Sequence, residues 1–384
     1  MCPRALRQER PAEAESHASP PPAGLLGLLA SPRPDRGALR AALASLPAHS
    51  VPALLEALSF HRIDGLAYRA LGALPPDTID PWLRSTLKRR SQKLAAATLA
   101  QGLALAEVLD ALHHARLPVM VMRGLRSAES IYADPSVRPF EDHDLLVLPG
   151  DRPQAATVLE RHGLEPASPS LFRRGGLLID LHIDPFGATR RPARSLLLRT
   201  SVEELFERTT PGSVAGAPAL LLDPADELLL LAVHVVKHSF DRLIRIADVA
   251  HLLSRPEGAA HGEAALRRAG TSGGRRILGW AIAAATPLGV PLSPALRAAP
   301  PAGWLESIIM RRVLRLRPFP YAGEILMTLA LQGLAPRVRF LFDALFPSVQ
   351  EPRPAWRKAI VLPARTVAIV RQAAAQARIR KEAR

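Results

Sequence analysis

The stretch Arg138-Pro139-Phe140-Glu141-Asp142-His143-Asp144-Leu145-Leu146-Val147 decides how this chain folds. Two of its aspartates, Asp142 and Asp144, stand two positions apart at the head of an apolar run. In a β-strand, residues i and i+2 point to the same side of the sheet, and their Cα atoms are ~6–7 Å apart. Two carboxylates that converge in this way repel each other unless a cation lies between them. Because Mg²⁺ and Mn²⁺ prefer oxygen ligands, the stretch predicts a divalent-metal site at the edge of a sheet.

The residues before this strand predict another strand, a turn and a helix. The run 117–122 is short, apolar and β-prone, and Gly124 follows it closely. A helix is predicted from about Leu125 to Tyr132. Free backbone N–H groups at the start of a helix favour phosphate, and glycine permits close approach. Gly124 is therefore a candidate phosphate contact, although a glycine at such a turn is more often structural.

The residues after the strand predict a helix and a hairpin. The helix covers about 153–162, and two short runs follow at 171–174 and 177–182. The Gly-Gly pair between these runs indicates a hairpin. The second run holds Asp180 between two apolar neighbours. A carboxylate is costly to bury there unless a positive charge compensates it, so Asp180 is a candidate third ligand.

Two further elements are predicted downstream. Part of 213–222 predicts one more strand, which Pro218 would confine to an edge because proline cannot donate a ladder hydrogen bond. The run 223–226, Asp-Pro-Ala-Asp, has a capping acid, proline at the first helical position and an acid in the first turn. It predicts a helix to about His238, and another helix follows over roughly 242–253.

The whole pattern predicts the α+β class, with a small mixed-sheet core flanked by helical domains. Residues 1–24 are rich in proline and charge and predict a disordered leader. The other parts are an N-terminal helical region (25–115), the α/β core (116–222), a helical domain that completes the cleft (223–300) and a C-terminal helical region with a basic tail (301–384).

The bulk composition narrows the class of protein but not its ligand. A chain of 384 residues predicts two or three packed units. The formal charge of +15 is compatible with a surface for nucleic acid, nucleotide or anionic lipid, but abundant Ala and Pro favour a coding bias toward arginine. RNA therefore stays open as a partner without being favoured. The single cysteine, Cys2, excludes a disulfide within the chain and fits a reducing cytoplasm. No apolar run is long enough to predict a membrane span.

A glycine turn, a two-carboxylate strand and a third carboxylate on a following strand together resemble the nucleotidyltransferase superfamily of the polymerase-beta type. Within that superfamily, the chain resembles a bacterial family described as uncharacterised nucleotidyltransferases, over about residues 25–300. The local matches are Val119-Met120-Val121-Met122-Arg123-Gly124, the segment 131–139, the segment 141–147, Asp180-Leu181-His182, the segment 234–238 and the segment 245–249.

The resemblance implies a metal-dependent enzyme that moves a nucleoside monophosphate from a nucleoside triphosphate, such as ATP, to an unidentified acceptor. The acceptor hydroxyl or phosphate would belong to a small molecule, a peptide, a protein or RNA. Asp142, Asp144 and Asp180 would be catalytic and would hold one or two Mg²⁺ or Mn²⁺ ions, and Asp180 could also assist deprotonation of the acceptor. The implied nucleotide-binding residues are Arg123, Gly124, Arg126, Arg138, His234 and Lys237. The oligomeric state is left open.

Structural roles compete with several of these assignments. His234 and His238 lie one helical turn apart, which suits packing or capping as well as a nucleotide cleft. Zinc is a weaker interpretation, because no third ligand accompanies them. Arg138 could hold the loop of the metal strand instead of contacting phosphate.

Three residues depart from the family's pattern. Arg123 stands where Lys is usual, so a planar fork replaces a compact ammonium. Leu125 departs from the usual Gly-Gly or Gly-Ser turn, and Glu141 replaces a small residue beside the metal pair. These departures keep a second hypothesis open, a degenerate module that binds nucleotide or a partner without catalysis. A glycosyltransferase that uses Asp-x-Asp is a third hypothesis, but it leaves Asp180 unexplained.

Overall fold

A computed structural model describes residues 23–186, 192–198, 200–270, 273–298, 303–316 and 321–345. Most of the predicted leader and the predicted basic tail lie outside the described residues. The described part is an α+β protein in which helices flank one mixed sheet of seven strands, as the sequence predicts.

Most of the described chain is helical. The helices are α1 (Ala23–Ala30), α2 (Arg36–Ala44), α3 (Val51–His61), α4 (Asp64–Gly72), α5 (Pro81–His114), α6 (Leu125–Ile131), α7 (Arg152–Arg161), α8 (Val202–Glu207), α9 (Pro224–Lys237), α10 (Leu243–Leu253), α11 (Gly258–Ala269), α12 (Gly273–Ala285), α13 (Pro294–Arg297), α14 (Trp304–Leu314), α15 (Ala322–Ala330) and α16 (Leu334–Leu345). The strands are β1 (Met120–Val121), β2 (His143–Leu146), β3 (Glu165–Pro166), β4 (Leu171–Arg174), β5 (Leu177–His182), β6 (Thr210–Val214) and β7 (Ala217–Leu221).

The sheet has the strand order β3-β4-β5-β2-β1-β7-β6. Its centre is the short β1, which pairs antiparallel with β2 and parallel with β7. On the other side, β2 pairs parallel with β5, which closes the predicted hairpin with β4. Strand β2 therefore lies between β1 and β5, inside the sheet.

The prediction of an edge strand at Pro218 is wrong, because β7 lies between β1 and β6. The N–H of Leu220 donates to the carbonyl of Val119 in front of β1. Since alternate residues of a strand face the same neighbour, the nitrogen of Pro218 also faces the β1 side. This nitrogen lies beyond the single β1–β7 pair, which joins Met120 and Leu220, so the ladder needs no N–H donor at position 218.

Alternate residues of the central strands enter two different cores. Met120 and Leu146 join a large core built mainly from helices that precede the sheet in the chain, α1–α4, and helices that follow it, α9–α16. Val121 and Leu145 join a second core under α5 and α7. Asp144 shares its side of β2 with Leu146, so it faces the helical core.

Helix α5 connects the two cores. Its first part buries Leu83 and Leu87 in the helical core, and its last turns bury Leu109 and Leu112 against the sheet. Its 34 residues span ~51 Å. By length and hydropathy alone, α5 is also the one single helix among those described that could cross a membrane, and the bent pair α2 and α3 passes the same test only if taken as one span. Its packing at both ends is that of a helix bridging two cores.

The predicted start of α9 is confirmed. The carboxylate of Asp223 accepts from the N–H of Ala225, and Pro224 occupies the first helical position. The helix then runs to Lys237, against the side of the sheet that Asp144 faces. This placement brings the end of α9 to the carboxylates.

Candidate functional site

Two of the predicted metal ligands face each other on neighbouring strands. β2 and β5 run parallel, and their register sets Asp144 opposite Asp180. Both side chains point to the side of the sheet covered by the helical core, where Asp144 is only 6% exposed. The third aspartate, Asp142, lies one residue before β2 and is exposed at the rim.

A histidine completes this group, and the sequence analysis did not assign it a role. The ligand atoms of Asp144, Asp180 and His182 all lie within 4.8 Å of one another. His182 Nε2 is 2.7 Å from Asp144 Oδ1 and 3.2 Å from Asp180 Oδ2. The signal was present in the sequence, because His182 follows Asp180 by two positions and therefore shares its side of β5. We call Asp142, Asp144, Asp180 and His182 the carboxylate cluster.

Arg123 supplies a second positive charge to the carboxylate cluster. Its Nε donates to Asp144 Oδ2 at 2.7 Å, so both oxygens of Asp144 are paired. Burial alone would lower the pKa of Arg123, but the Asp144 charge and hydrogen bond raise it. The guanidinium is thus cationic at any working pH, which fits the charge role expected of a residue at this position.

The titration of the cluster follows from these contacts. Burial favours a protonated carboxyl, but Arg123 and His182 hold the pKa of Asp144 well below its ordinary value. Desolvation and the Asp144 charge raise the pKa of Asp142. Burial disfavours an imidazolium at His182, but hydrogen bonds to Asp144 and Asp180 outweigh it and raise its pKa to about 9. His182 is therefore protonated at neutral pH.

Glycine is needed at position 124 because this residue has a positive φ and lies against the backbone of Asp142. It adopts φ +85°, a conformation that other residues rarely take. A Cβ at this position would lie 2.6 Å from the carbonyl oxygen of Asp142 and 2.7 Å from His143 Nδ1. The same His143 nitrogen accepts from the N–H of Leu125, which occupies one of the free donors at the start of α6. The phosphate role of Gly124 stays a prediction beside this structural one.

Arg138, in the segment before β2, forms a buried ion pair with Asp248. Its Nε and Nη2 donate to the two oxygens of Asp248, each at 2.8 Å. The hydroxyl of Tyr132 donates to the same carboxylate at 2.8 Å. Asp248 is fully buried, and this pair ties α10 to the segment before β2. The geometry matches the competing interpretation, in which Arg138 holds this loop.

Arg126 also lies away from the carboxylate cluster. It is on α6, where its Nη2 is 3.9 Å from a carboxylate oxygen of Glu227. Glu227 is buried and accepts a hydrogen bond from Ser130. Burial raises the pKa of Glu227. The assignment of Arg126 to the nucleotide remains untested.

The end of α9 brings a basic cluster, formed by Arg123, His234, Lys237 and Arg245, to the carboxylates. Arg123 donates from Nη1 to His234 Nδ1, and Arg245 donates from Nε to His234 Nε2 at 3.2 Å. Burial and the neighbouring charges, with Arg123 first among them, lower the pKa of His234 far below its ordinary value, and Lys237 contributes to the shift. Arg245, on α10, is the second functional candidate that the sequence analysis did not assign.

Glu141 points away from the carboxylate cluster. It is exposed, and its carboxylate forms an ion pair of 3.0 Å with Arg62 at the end of α3. Strand alternation predicts this opposite orientation from Asp142. The residue that departs most from the family's pattern therefore does not crowd the predicted ligands.

The residues present fit a divalent cation. Three carboxylates face two cations, Arg123 and protonated His182, so the cluster keeps an excess negative charge. Asp180 Oδ1 is buried and has no hydrogen-bond partner in the described part of the chain. Carboxylate oxygens are the ligands that Mg²⁺ and Mn²⁺ prefer, and His182 could join them only after losing its proton. Among the described residues, His234 and His238 belong to no such ligand group, and a guanidinium N–H faces each ring nitrogen of His234.

Comparison with known proteins agrees with this geometry. The model of a family described as uncharacterised nucleotidyltransferase matches residues 47–288, which is more than half of the chain. The matched region contains the carboxylate cluster, the basic cluster and the Arg138–Asp248 pair. Neither a curated protein nor a solved structure matches the chain.

Proposed function

The chain belongs to the family of uncharacterised nucleotidyltransferases, and from this premise we propose that it transfers a nucleoside monophosphate from a nucleoside triphosphate to an acceptor, with Mg²⁺ or Mn²⁺. One observation carries the proposal: Asp144 and Asp180 meet on adjacent strands, and Arg123 links them directly to the basic cluster. The site therefore offers ligands for a cation and positive charge for a triphosphate side by side.

Asp144 and Asp180 would hold the cation, with Asp142 and His182 as the further ligand candidates. When bound, it would neutralise the triphosphate and polarise the phosphorus that is attacked. The ligand set favours hard cations because oxygen donors dominate it.

The basic cluster would bind the phosphates. A neutral imidazole offers one acceptor nitrogen, whereas His234 has a guanidinium N–H facing each ring nitrogen. One of the two guanidinium groups therefore lacks an acceptor at this ring. A phosphate oxygen between Arg123 and Arg245 would supply it, with charge-assisted bonds of the kind that arginine forms with phosphate. Lys237 would add a third charge from the same end of α9.

Asp180 is the candidate to receive the proton of an acceptor hydroxyl. Its Oδ1 has no partner among the described residues, while its Oδ2 is held by His182. A general base must have a free lone pair within reach of the proton that it takes. The acceptor group would be a hydroxyl or a phosphate, on a small molecule, peptide, protein or RNA. The reaction belongs to the cytoplasm in this proposal, in keeping with the single cysteine.

The test is incubation of the purified chain with each of the four α-³²P-labelled nucleoside triphosphates, Mg²⁺ or Mn²⁺ and a cell extract. Asp144→Asn removes the central ligand, and Asp110→Asn, on the exposed side of α5, is the matched control. Label on an acceptor with wild type and the control, but not with Asp144→Asn, supports the proposal. Turnover of nucleotide-sugars alone would contradict it.

A second candidate is a module that binds nucleotide without transfer. The pairing of both Asp144 oxygens with Arg123 and His182 favours it, since these cations take the place that a metal would need. Nucleotide binding without label transfer in all four reactions would support this candidate instead.

A further inference from the structure

A second cavity lies away from the carboxylate cluster, where α1, α4, α6 and α10 meet. Its volume is about 510 Å³, which is within the range of small-molecule sites. None of its lining residues belongs to the carboxylate cluster or to the basic cluster. The cavity is therefore a separate feature of the fold.

Four arginines from different segments line this cavity. Arg33 comes from the α1–α2 loop, Arg36 begins α2, Arg69 is on α4, and Arg255 follows α10. No acidic side chain lines the cavity in the described part of the chain. The nearby Asp35 caps α2 by accepting from the first backbone N–H groups of that helix. The cavity therefore carries a concentrated positive charge.

Helix termini account for only part of this charge. Arg33 donates to the carbonyl of Ser254 at 3.2 Å, and Arg255 donates to the carbonyl of Ser130. Each C-terminus carries about half a negative charge, so the four helix C-termini at the cavity, those of α1, α4, α6 and α10, balance about two of the four arginines. Arg36 and Arg69 are exposed, and their side chains make no hydrogen bond or ion pair with any described residue. Two guanidinium groups are thus available to a ligand.

The floor of the cavity is largely apolar, and Ser254 lies beside it with its hydroxyl buried. Ser254 is 8% exposed, and its Oγ has no hydrogen-bond partner among the described residues. Beside it, the rings of Tyr132 and His251 pack with centroids 4.7 Å apart. Burial and the Arg69 charge lower the pKa of His251 to about 4, so this ring is neutral. Leu66 and its neighbours complete an apolar wall.

We propose that this cavity binds a phosphate-bearing small molecule of mononucleotide size, at a site separate from the nucleotidyl-transfer centre. Arg36 and Arg69 bind the phosphate groups, because guanidinium groups match phosphate oxygens in charge and geometry. The apolar wall covers the uncharged part of the same ligand. The proposal stands independently of the transfer reaction.

The test uses EDTA, which removes divalent cations and so weakens phosphate binding beside the carboxylate cluster, and variants of the cavity then identify which site holds the probe. The full chain is titrated with AMP and, separately, with inorganic pyrophosphate, by calorimetry. We expect one saturable site for at least one probe. Arg36→Glu/Arg69→Glu should weaken it by about tenfold or more, since it removes two charge-assisted contacts. Arg40→Glu, exposed on the same helix α2 but outside the cavity, should leave it unchanged.

A second variant, which fills the cavity, distinguishes loss of the binding site from loss of the fold. Ala73→Trp adds bulk at an exposed position on the cavity wall and leaves every charge in place. It should abolish binding while the melting temperature stays close to that of wild type. Absence of saturable binding, an equal loss with Arg40→Glu, or unchanged binding with Ala73→Trp would overturn the proposal. Binding of a short single-stranded RNA with no binding of AMP or pyrophosphate would overturn it too.

Discussion

Metal binding at the carboxylate cluster should expel a proton from His182. The imidazolium lies between Asp144 and Asp180, and its pKa is about 9. A divalent cation that takes the two carboxylates must either bind a neutral imidazole or repel a charged one. Both routes remove the same proton, so the prediction does not depend on which ligand set forms.

The magnitude follows from the pKa. At pH 7.5 a group with a pKa of about 9 is ~97% protonated, so Mn²⁺ should release ~1 proton per site. The apparent affinity for Mn²⁺ should rise ~50-fold from pH 7 to pH 9, which is ~2.3 kcal/mol. Above about pH 10 the proton is largely absent, and the dependence should flatten.

Calorimetry in HEPES and in Tris at pH 7.5 measures the proton directly, because the two buffers differ in ionisation enthalpy. His182→Gln keeps a polar group beside the carboxylates but cannot titrate, so its proton release should fall to near zero. His113→Gln, at an exposed position on α5, is the matched control and should behave as wild type. Wild-type protein that binds Mn²⁺ without proton release would refute the reasoning.

Three further outcomes follow from the same contacts. Asp248→Asn leaves the buried Arg138 without a full counter-charge and should lower the free energy of unfolding by ~3–5 kcal/mol; a change in the urea midpoint equivalent to less than ~1 kcal/mol would contradict this. Gly124→Ala sets a Cβ 2.6 Å from the carbonyl oxygen of Asp142 at a positive φ. It should therefore lower the melting temperature and weaken Mn²⁺ binding together. Wild-type values for both would show that the backbone shifts to accept the Cβ. The pKa of His182 is raised on folding from 6.5 to about 9, so its imidazolium stabilises the metal-free protein by ~3 kcal/mol below pH ~6.5, and this contribution is lost as the pH rises through 9. Urea titrations over this pH range should show the slope for wild type and not for His182→Gln.

Local pattern was sufficient to predict the elements that carry the site. The Gly-Gly pair placed β4 and β5 at their observed residues, and the Asp223-Pro224 pair placed the start of α9. The strand period put Asp144 on the side of the sheet that faces the helices. The convergence of Asp180 with it depends on the parallel pairing of β2 and β5, which the sequence analysis did not predict. The family resemblance implied only that a third carboxylate on a following strand joins the site.

The remaining contacts depend on residues far apart in the chain. Arg138 and Asp248 are 110 positions apart, and Arg123 and His234 are 111 positions apart. No periodicity reports such pairs, because they arise from the packing of α9 and α10 on the sheet. The edge prediction from Pro218 failed for a related reason. The length of β1 decides whether β1 needs a hydrogen bond from position 218, where proline has no N–H.

Strand alternation would have indicated that His182 lies on the same side of β5 as Asp180. The same i, i+2 rule that paired Asp142 with Asp144 also pairs Asp180 with His182. Applied to β5, it would have placed a titratable nitrogen between the carboxylates.

The most direct test of the central claim compares two positions of the label on one nucleoside triphosphate. With α-³²P the wild-type chain should leave label on the acceptor, and with γ-³²P the label should leave as pyrophosphate. Asp180→Asn should lose both signals while Asp110→Asn keeps them. Label on the acceptor from the γ position, or transfer that persists in Asp180→Asn, would contradict nucleotidyl transfer at this site.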